Sequence, residues 1–326
     1  MSHVIPYVAA IHEAIREEME RDARVLYFGQ NMATSPEDPF LKEFGPDRVR
    51  VTPISETAEI GMATGAAIAG YRPVVELYMA EFCLVAADQV VNEGSRFHFM
   101  SKGAVSVPMV MVAGYGFTAG WAGQHTGSLY GMFMGVPGLK VVMPSMPADA
   151  KGLMTTAIRD DNPVLYFQNY LLLLTEGEVP DGEYAVPFGV ADVKRKGSDL
   201  TIVATGYTVH TALAAAETLA RRGVSAEVID PRTIAPLDVD TILASVARTG
   251  HLVLVDQATR HASVAAIVAA EVAELGFSSL KAPISLVTAL DSSIAYSQPV
   301  EEYVLPDEDK VVRAVEQTLG LAPVSA

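Results

Sequence analysis

Short apolar segments alternate with amphipathic segments along most of the 326 residues of this chain. Residues 164–167, 200–204 and 252–256 are apolar runs of strand length, whereas residues 208–222 and 263–275 have helical spacing. Strands that alternate with helices form a mostly parallel sheet that helices cover on both faces. The sequence therefore predicts an α/β fold of doubly wound domains.

An opening amphipathic helix is predicted because Val8, Ile11, Ile15 and Met19 recur at helical spacing. Ser55 is placed to cap the helix that begins at Glu56. The same reasoning predicts helices at residues 56–69, 82–100, 147–160, 208–222, 238–248 and 263–275, and strands at residues 25–28, 74–78, 107–113, 139–143, 164–167, 200–204, 224–229, 252–256 and 284–287.

A break in this alternation predicts the domain boundary. Residues 175–198 are rich in glycine, proline and charged side chains, which is typical of a surface linker. We place the boundary near residue 186, which gives domains of residues 1–185 and 186–326.

The composition of the chain excludes several classes of binding partner and of metal site. The formal net charge is −16, which argues against duplex nucleic acid and anionic membrane surfaces. A single cysteine, Cys83, excludes an intrachain disulfide and a cysteine-rich zinc site, and it fits a reducing, cytoplasmic setting. The N-terminal residues have no apolar core after a basic start, so we expect no signal peptide.

Residues 103–139 contain no Lys, Arg, Asp or Glu, yet Gln124 and His125 lie near their middle. Nine glycines and two prolines make this run a poor membrane span. Its apolar start predicts a buried strand, and the glycines after it predict a loop whose backbone can approach a ligand closely. A histidine there suits proton transfer. The alternative is a core histidine that bonds a backbone carbonyl.

Three other segments carry candidate functional residues, each with an ordinary structural alternative. Glu56 lies four residues after Thr52 and is the first residue of a predicted helix, so its charge could simply complement the helix dipole. Phe82 follows the strand that ends near Tyr78, and it could be plain core. Residues 157–163 could be a helix end that leads into a strand.

The order and spacing of several motifs together are more specific than any one of them. They are TPISE at 52–56, GQH at 123–125, PGLKVVMPSMPADAKGL at 137–153, AIRDDNPV at 157–164 and EVIDPRTIAPLD at 227–238. With these motifs the chain resembles the beta subunit of the thiamine-diphosphate-dependent component of 2-oxo acid dehydrogenases, a family that includes the pyruvate, branched-chain 2-oxo acid and acetoin enzymes. The resemblance covers nearly the whole chain and implies an N-terminal pyrimidine-binding domain and a C-terminal transketolase-type domain.

The resemblance implies roles for three side chains. Glu56 matches the glutamate that bonds the aminopyrimidine ring of the cofactor, where proton exchange activates the thiazolium ring. Phe82 matches the aromatic residue that packs on the pyrimidine. His125 matches the histidine that faces the 2-oxo acid and the incoming lipoyl group, so we expect it to stabilise or protonate intermediates.

The resemblance also implies ions and partners. A structural potassium ion is expected, held largely through backbone carbonyls of the matching positions Met109, Ala157, Ile158, Asp160 and Asn162. The magnesium ion that bridges the cofactor's phosphates usually needs a Gly-Asp-Gly motif, which this chain lacks. We therefore expect an alpha subunit that carries that motif, and an α2β2 heterotetramer outside which the chain is inactive. The resemblance also implies a lipoyl-bearing acyltransferase core as a further partner.

Two features depart from the family pattern. Gln30 and Asn31 stand where relatives carry acids that are assigned to a proton path between active sites, and an amide does not relay a proton as an acid does. The loop at residues 114–123 is unusually apolar and contains Trp121. This loop points to a substrate or acyl acceptor other than pyruvate and a lipoyl group.

Three other functions stay open at this point. The first is the pyrimidine-binding half of a split transketolase, although the uncharged run 103–139 lacks the basic side chains that phosphosugars usually require. The second is a nicotinamide-dependent dehydrogenase, although the glycines at 114, 116 and 120 precede a loop and no acid follows for the ribose. The third is a non-catalytic partner chain, which the presence of both Glu56 and His125 disfavours.

Overall fold

A computed structural model describes residues 1–30, 39–116 and 120–321. The described residues divide into two compact units. The first comprises residues 1–116, 124–126 and 132–188, and the second comprises residues 117–123, 127–131 and 189–326, in each case as far as they are described.

The helices are α1 Tyr7–Arg21, α2 Pro39–Phe44, α3 Glu56–Ile68, α4 Phe97–Met100, α5 Gly131–Met134, α6 Pro147–Arg159, α7 Thr208–Ala220, α8 Val239–Thr249, α9 Val264–Leu275, α10 Gln298–Val304 and α11 Glu308–Leu319. The strands are β1 Ser2–Pro6, β2 Val25–Gly29, β3 Val49–Val51, β4 Arg72–Leu77, β5 Val110–Tyr115, β6 Lys140–Val142, β7 Val164–Asn169, β8 Glu176–Pro180, β9 Asp192–Arg195, β10 Leu200–Ala204, β11 Ala226–Asp230, β12 Thr233–Ala235, β13 Leu252–Thr259 and β14 Ser285–Ala289.

A parallel sheet forms the centre of the first unit. Its strands follow the order β6-β7-β5-β4-β2-β3, and every pair in it is parallel. Strands β5 and β7 are buried along their whole length, as expected for a sheet with both faces covered. Strands β1 and β8 form a separate antiparallel pair. The predicted α/β fold is confirmed here.

The second unit has its own sheet, in the order β14-β13-β10-β11-β9. Strands β14, β13, β10 and β11 run parallel, and β9 is antiparallel to β11. The alternation of strands and helices from residue 200 onwards is therefore confirmed.

The structure corrects two predictions of secondary structure. Residues 82–100 do not form one helix, because a 3₁₀ turn at Ala80–Leu84, a π-helical segment at Gln89–Gly94 and the short helix α4 replace it. Apolar periodicity does not distinguish these tighter and wider turns from an α-helix. The predicted linker contains β8 and β9, short partly exposed strands whose charged residues hide their pairing from the sequence.

The uncharged run does not form a long helix. Its described residues include strand β5, the short helix α5 and loops. Within residues 1–30, 39–116 and 120–321, no helix is long and apolar enough to cross a lipid bilayer.

Candidate active site

Glu56 is the first residue of α3, and its side chain is buried with 7% of its surface exposed. The positive end of the helix dipole stabilises a carboxylate at this position. Ser55 occupies the predicted capping position, but its side chain makes no capping hydrogen bond. Its carbonyl oxygen instead accepts a hydrogen bond from the backbone nitrogen of Glu59 at 2.9 Å.

The 3₁₀ turn that follows β4 brings Phe82 and Cys83 to the same region of the first unit. Burial, together with the negative charges of Glu81 and Glu56, raises the pKa of the Cys83 thiol to about 12. The charge of Glu56 therefore acts directly on the residue next to Phe82. The Phe82 ring meets the His125 ring edge-on, with centroids 5.4 Å apart. The structure thus brings Phe82 and His125 together, and the charge of Glu56 acts on Cys83, the residue that follows Phe82.

His125 is half-buried, and a glycine follows the strand β5 that precedes it in the chain. Gly116, just after β5, has a φ of +95°, and a Cβ there would lie 2.4 Å from Nδ2 of Asn169. A side chain at position 116 is thus excluded by both conformation and space. Gln124 next to the histidine is exposed, whereas Thr126 is buried.

The positions predicted to hold potassium lie around the C-terminal end of α6 and the strands β5 and β7. A cationic side chain already bonds two of them, because Nη1 of Arg72 donates to the carbonyls of Ile158 at 3.0 Å and Asp160 at 2.9 Å. Lys140 forms an ion pair with the Asp160 carboxylate. The carboxylate of Asp160 also accepts a hydrogen bond from Nδ2 of Asn162 at 3.1 Å.

Two further carbonyls at these positions have hydrogen-bond partners. The carbonyl of Met109 accepts from the backbone nitrogen of Val164 at 2.9 Å, and that of Ala157 accepts from the nitrogen of Asp160 at 3.3 Å. Each carbonyl oxygen has a second lone pair, so a monovalent cation fits here only if it shares these oxygens with the existing donors.

A buried carboxylate that the sequence did not single out lies one turn after Glu56. Glu59 is only 2% exposed, and it accepts hydrogen bonds from Oγ1 of Thr52 at 2.5 Å and Nε2 of Gln30 at 3.0 Å. Its position three residues after Glu56 is the signal that could have revealed it, because such residues share a helix face. Asn31, the other half of the departure at 30–31, lies outside the described residues.

Comparisons with known proteins show the family to which the chain belongs. The model of the transketolase pyrimidine binding domain matches residues 3–173, and that of the transketolase C-terminal domain matches residues 189–311. The chain is 41% identical to an acetoin:2,6-dichlorophenolindophenol oxidoreductase subunit beta of Bacillus subtilis (strain 168), over 98% of each chain. It is 39% identical to the 2-oxoisovalerate dehydrogenase subunit beta of the same organism, over 96% of this chain and 98% of that one.

A third relative, the pyruvate dehydrogenase E1 component subunit beta of Rickettsia felis, is 40% identical over 94% of this chain and 96% of its own length. The chain belongs to this family of 2-oxo acid and acetoin dehydrogenase beta subunits. The expected family and the two-domain α/β architecture are confirmed. Membership implies dependence on thiamine diphosphate and an alpha-subunit partner.

A solved structure also shares the fold. The inactive beta4 tetramer of a split gene transketolase superposes with a TM-score of 0.81, over 98% of this chain and 99% of that chain. Its sequence identity is 21%, so this likeness concerns the fold alone. The relatives above favour the dehydrogenase family over the split transketolase.

Proposed function

We propose that this chain binds the pyrimidine end of thiamine diphosphate and, with its alpha subunit, decarboxylates a 2-oxo acid or cleaves acetoin and passes the acyl group to a lipoyl carrier. One observation carries the proposal: the Phe82 and His125 rings meet in the same unit whose helix α3 begins with the buried carboxylate of Glu56. A carboxylate, an aromatic face and an imidazole are the groups that a protonated heteroaromatic ring and a reacting carbonyl need.

Glu56 and Phe82 fit the pyrimidine end of the cofactor. When bound, the cofactor would supply the nucleophilic carbon for chemistry at the carbonyl of the substrate. Glu56 would hold and exchange a proton with the aminopyrimidine ring through its carboxylate oxygens, and burial strengthens that hydrogen bond. Phe82 would pack on the ring and exclude water.

His125 would act on the substrate side. The edge-on contact with Phe82 orients its imidazole beside the surface proposed for the pyrimidine. An imidazole can donate a proton to a developing alkoxide or hydrogen-bond it near neutral pH. His125 would therefore stabilise or protonate the intermediates that form from the substrate, and Glu56 would control the protonation of the cofactor.

The alpha subunit would supply the diphosphate end of the site. Gly-Asp-Gly is absent from the sequence, so the magnesium ion is assigned to the partner. The first unit also exposes large apolar side chains on α3, α4 and the segments next to them, namely Ile54, Met62, Val85, Phe99 and Met100. Exposed apolar patches mark protein interfaces, which supports an α2β2 assembly.

The remaining assignments are part of the same proposal. Residues 1–185 would form the pyrimidine-binding domain and residues 186–326 the transketolase C-terminal-type domain. A lipoyl-bearing acyltransferase core would be a further partner, and the lone, buried Cys83 fits a cytoplasmic setting. A potassium ion would share carbonyl oxygens with Arg72 at the end of α6.

The proposal is tested with Glu56→Gln in the chain reconstituted with its alpha subunit. The amide has nearly the shape of the carboxylate but cannot exchange the proton, so hydrogen–deuterium exchange at the reactive carbon of thiamine should collapse while assembly persists. Glu20→Gln, an exposed acid on α1, serves as the control. Wild-type exchange in Glu56→Gln would refute the role.

Split transketolase activity is the alternative that the sequence left open, and an assay separates it from the proposed function. The reconstituted pair should release carbon dioxide from pyruvate or branched-chain 2-oxo acids, or cleave acetoin. Transfer of a two-carbon ketol unit between sugar phosphates, without any of these reactions, would establish the transketolase instead.

A further inference from the structure

Glu59 is a buried carboxylate that forms no ion pair with any residue that the structure describes. Among the described residues, no Lys or Arg forms an ion pair with it, and its oxygens accept only from the hydroxyl of Thr52 and the amide of Gln30. Burial of a carboxylate costs free energy unless hydrogen bonds or nearby dipoles compensate. Here the first turn of α3 and the short 2.5 Å bond from Thr52 provide that compensation.

Glu59 joins three parts of the chain that converge on Glu56. Gln30 directly follows β2, Thr52 directly follows β3, and Glu59 lies in the first turn of α3. The backbone adds two bonds, from Thr52 nitrogen to the Gly29 carbonyl at 3.1 Å and from Glu59 nitrogen to the Ser55 carbonyl at 2.9 Å. The segment that leads into Glu56 is thus held at both ends.

That segment has little other support. Pro53, Ile54 and Ser55 are exposed, so burial does not fix the approach to Glu56. Gly29 allows the end of β2 to pack closely here, because a Cβ would lie 2.3 Å from the carbonyl oxygen of Glu76. The hydrogen bonds of Glu59 are therefore the main constraint from side chains on the segment of residues 52–55.

We infer that Glu59 is a positioning residue for Glu56. Gln30 and Thr52 are the two side-chain donors that hold the Glu59 carboxylate. Glu59 holds Thr52 and so sets the place of the Glu56 carboxylate. This inference rests on the role proposed for Glu56.

Exchange of the Gln30 and Glu59 side chains tests the inference in the holoenzyme. Glu59→Gln places an amide opposite the Gln30 amide, and Gln30→Glu places two carboxylates opposite each other. Each single variant should lower both kcat and thiamine proton exchange about tenfold or more, which corresponds to about 1.4 kcal/mol of transition-state stabilisation. KM for the 2-oxo acid should change by less than about twofold, because substrate contacts are intact.

The double variant Gln30→Glu with Glu59→Gln restores one carboxylate and one amide. We expect its kcat to return to within about threefold of the wild type, a non-additivity typical of residues in direct contact. Wild-type kcat in Glu59→Gln would overturn the inference. Losses in the double variant equal to the product of the single losses would also overturn it.

A second buried glutamate separates positioning from folding. Glu18 on α1 is fully buried and paired with Arg159, so Glu18→Gln should lower the melting temperature without slowing thiamine proton exchange. Equal loss of exchange in Glu18→Gln and Glu59→Gln would show a merely structural effect and overturn the inference. Loss in Glu59→Gln together with wild-type exchange in Glu56→Gln would refute the proposed function instead.

Discussion

Lys151 is a charged residue of the first unit whose side chain has no exposed surface. Its ammonium group donates to Glu13 at 2.6 Å, Glu17 at 2.7 Å and the carbonyl of Gly182 at 3.0 Å. Burial opposes the charge, but the two glutamates outweigh it and raise the pKa of Lys151. The ion cluster fastens α6 to α1 and to the turn after β8.

Replacement of Lys151 by Met keeps the length of the side chain and removes the charge. Loss of one partner from a buried ion pair costs roughly 3–5 kcal/mol. The glutamates are 28% and 26% exposed and can regain water, so the low end, about 3 kcal/mol, applies. For a unit of this size we expect the melting temperature to fall by roughly 6–12 °C.

Scanning calorimetry or circular dichroism measures this fall. Lys42→Met, at an exposed position on α2, should leave the melting temperature within about 2 °C of the wild type, since surface substitutions change stability little. The variant Lys151→Met with Glu13→Gln and Glu17→Gln should recover much of the loss, because no charge then remains unpaired. A fall below about 2 °C in Lys151→Met would refute the estimate for a buried pair.

Further outcomes follow from other sites. The Arg24 side chain lowers the pKa of Asp22 to about 2, below its usual 3.8, so the stability that it adds is present above pH 4 and lost as the pH falls towards 2; urea titrations should show this loss in the wild type and less of it in Asp22→Asn. Cys83, with a pKa of about 12, should resist iodoacetamide at pH 8 until the chain is unfolded, as mass spectrometry can check. His125→Ala should reduce turnover of the 2-oxo acid more than thiamine diphosphate affinity, and a fall in affinity alone would contradict its role. Potassium chloride should raise the melting temperature more than tetramethylammonium chloride at equal ionic strength, and equal effects would remove the potassium ion from the proposal.

Local patterns were sufficient to predict most of the helices and strands. Helix α3 begins at Glu56 as predicted, and strands β10 and β13 lie where the apolar runs placed them. These elements depend on side-chain periodicity within a few residues, which a sequence displays directly. The meeting of Phe82 and His125 could be expected only through the family resemblance, because 43 positions separate them.

Tertiary contacts explain what the sequence did not show. Lys151 on an amphipathic helix is typical of a solvated side chain, and it is buried only because Glu13 and Glu17 reach it from a helix more than 130 positions away. Gln30 and Glu59 are likewise 29 positions apart, and each alone has the composition of a surface residue. Strands β8 and β9 are short, so pairing across the sheet decides their structure more than local propensity does.

The apolar side chains exposed on α3 and α4 and on the segments next to them also affect how the protein must be made. A beta chain synthesised in excess would present Ile54, Val85 and Phe99 to water and to other copies of itself. Exposed apolar surface of this kind promotes aggregation. The cell must therefore synthesise the two subunits in balanced amounts. Co-expression with the alpha subunit should yield far more unaggregated protein than expression of this chain on its own.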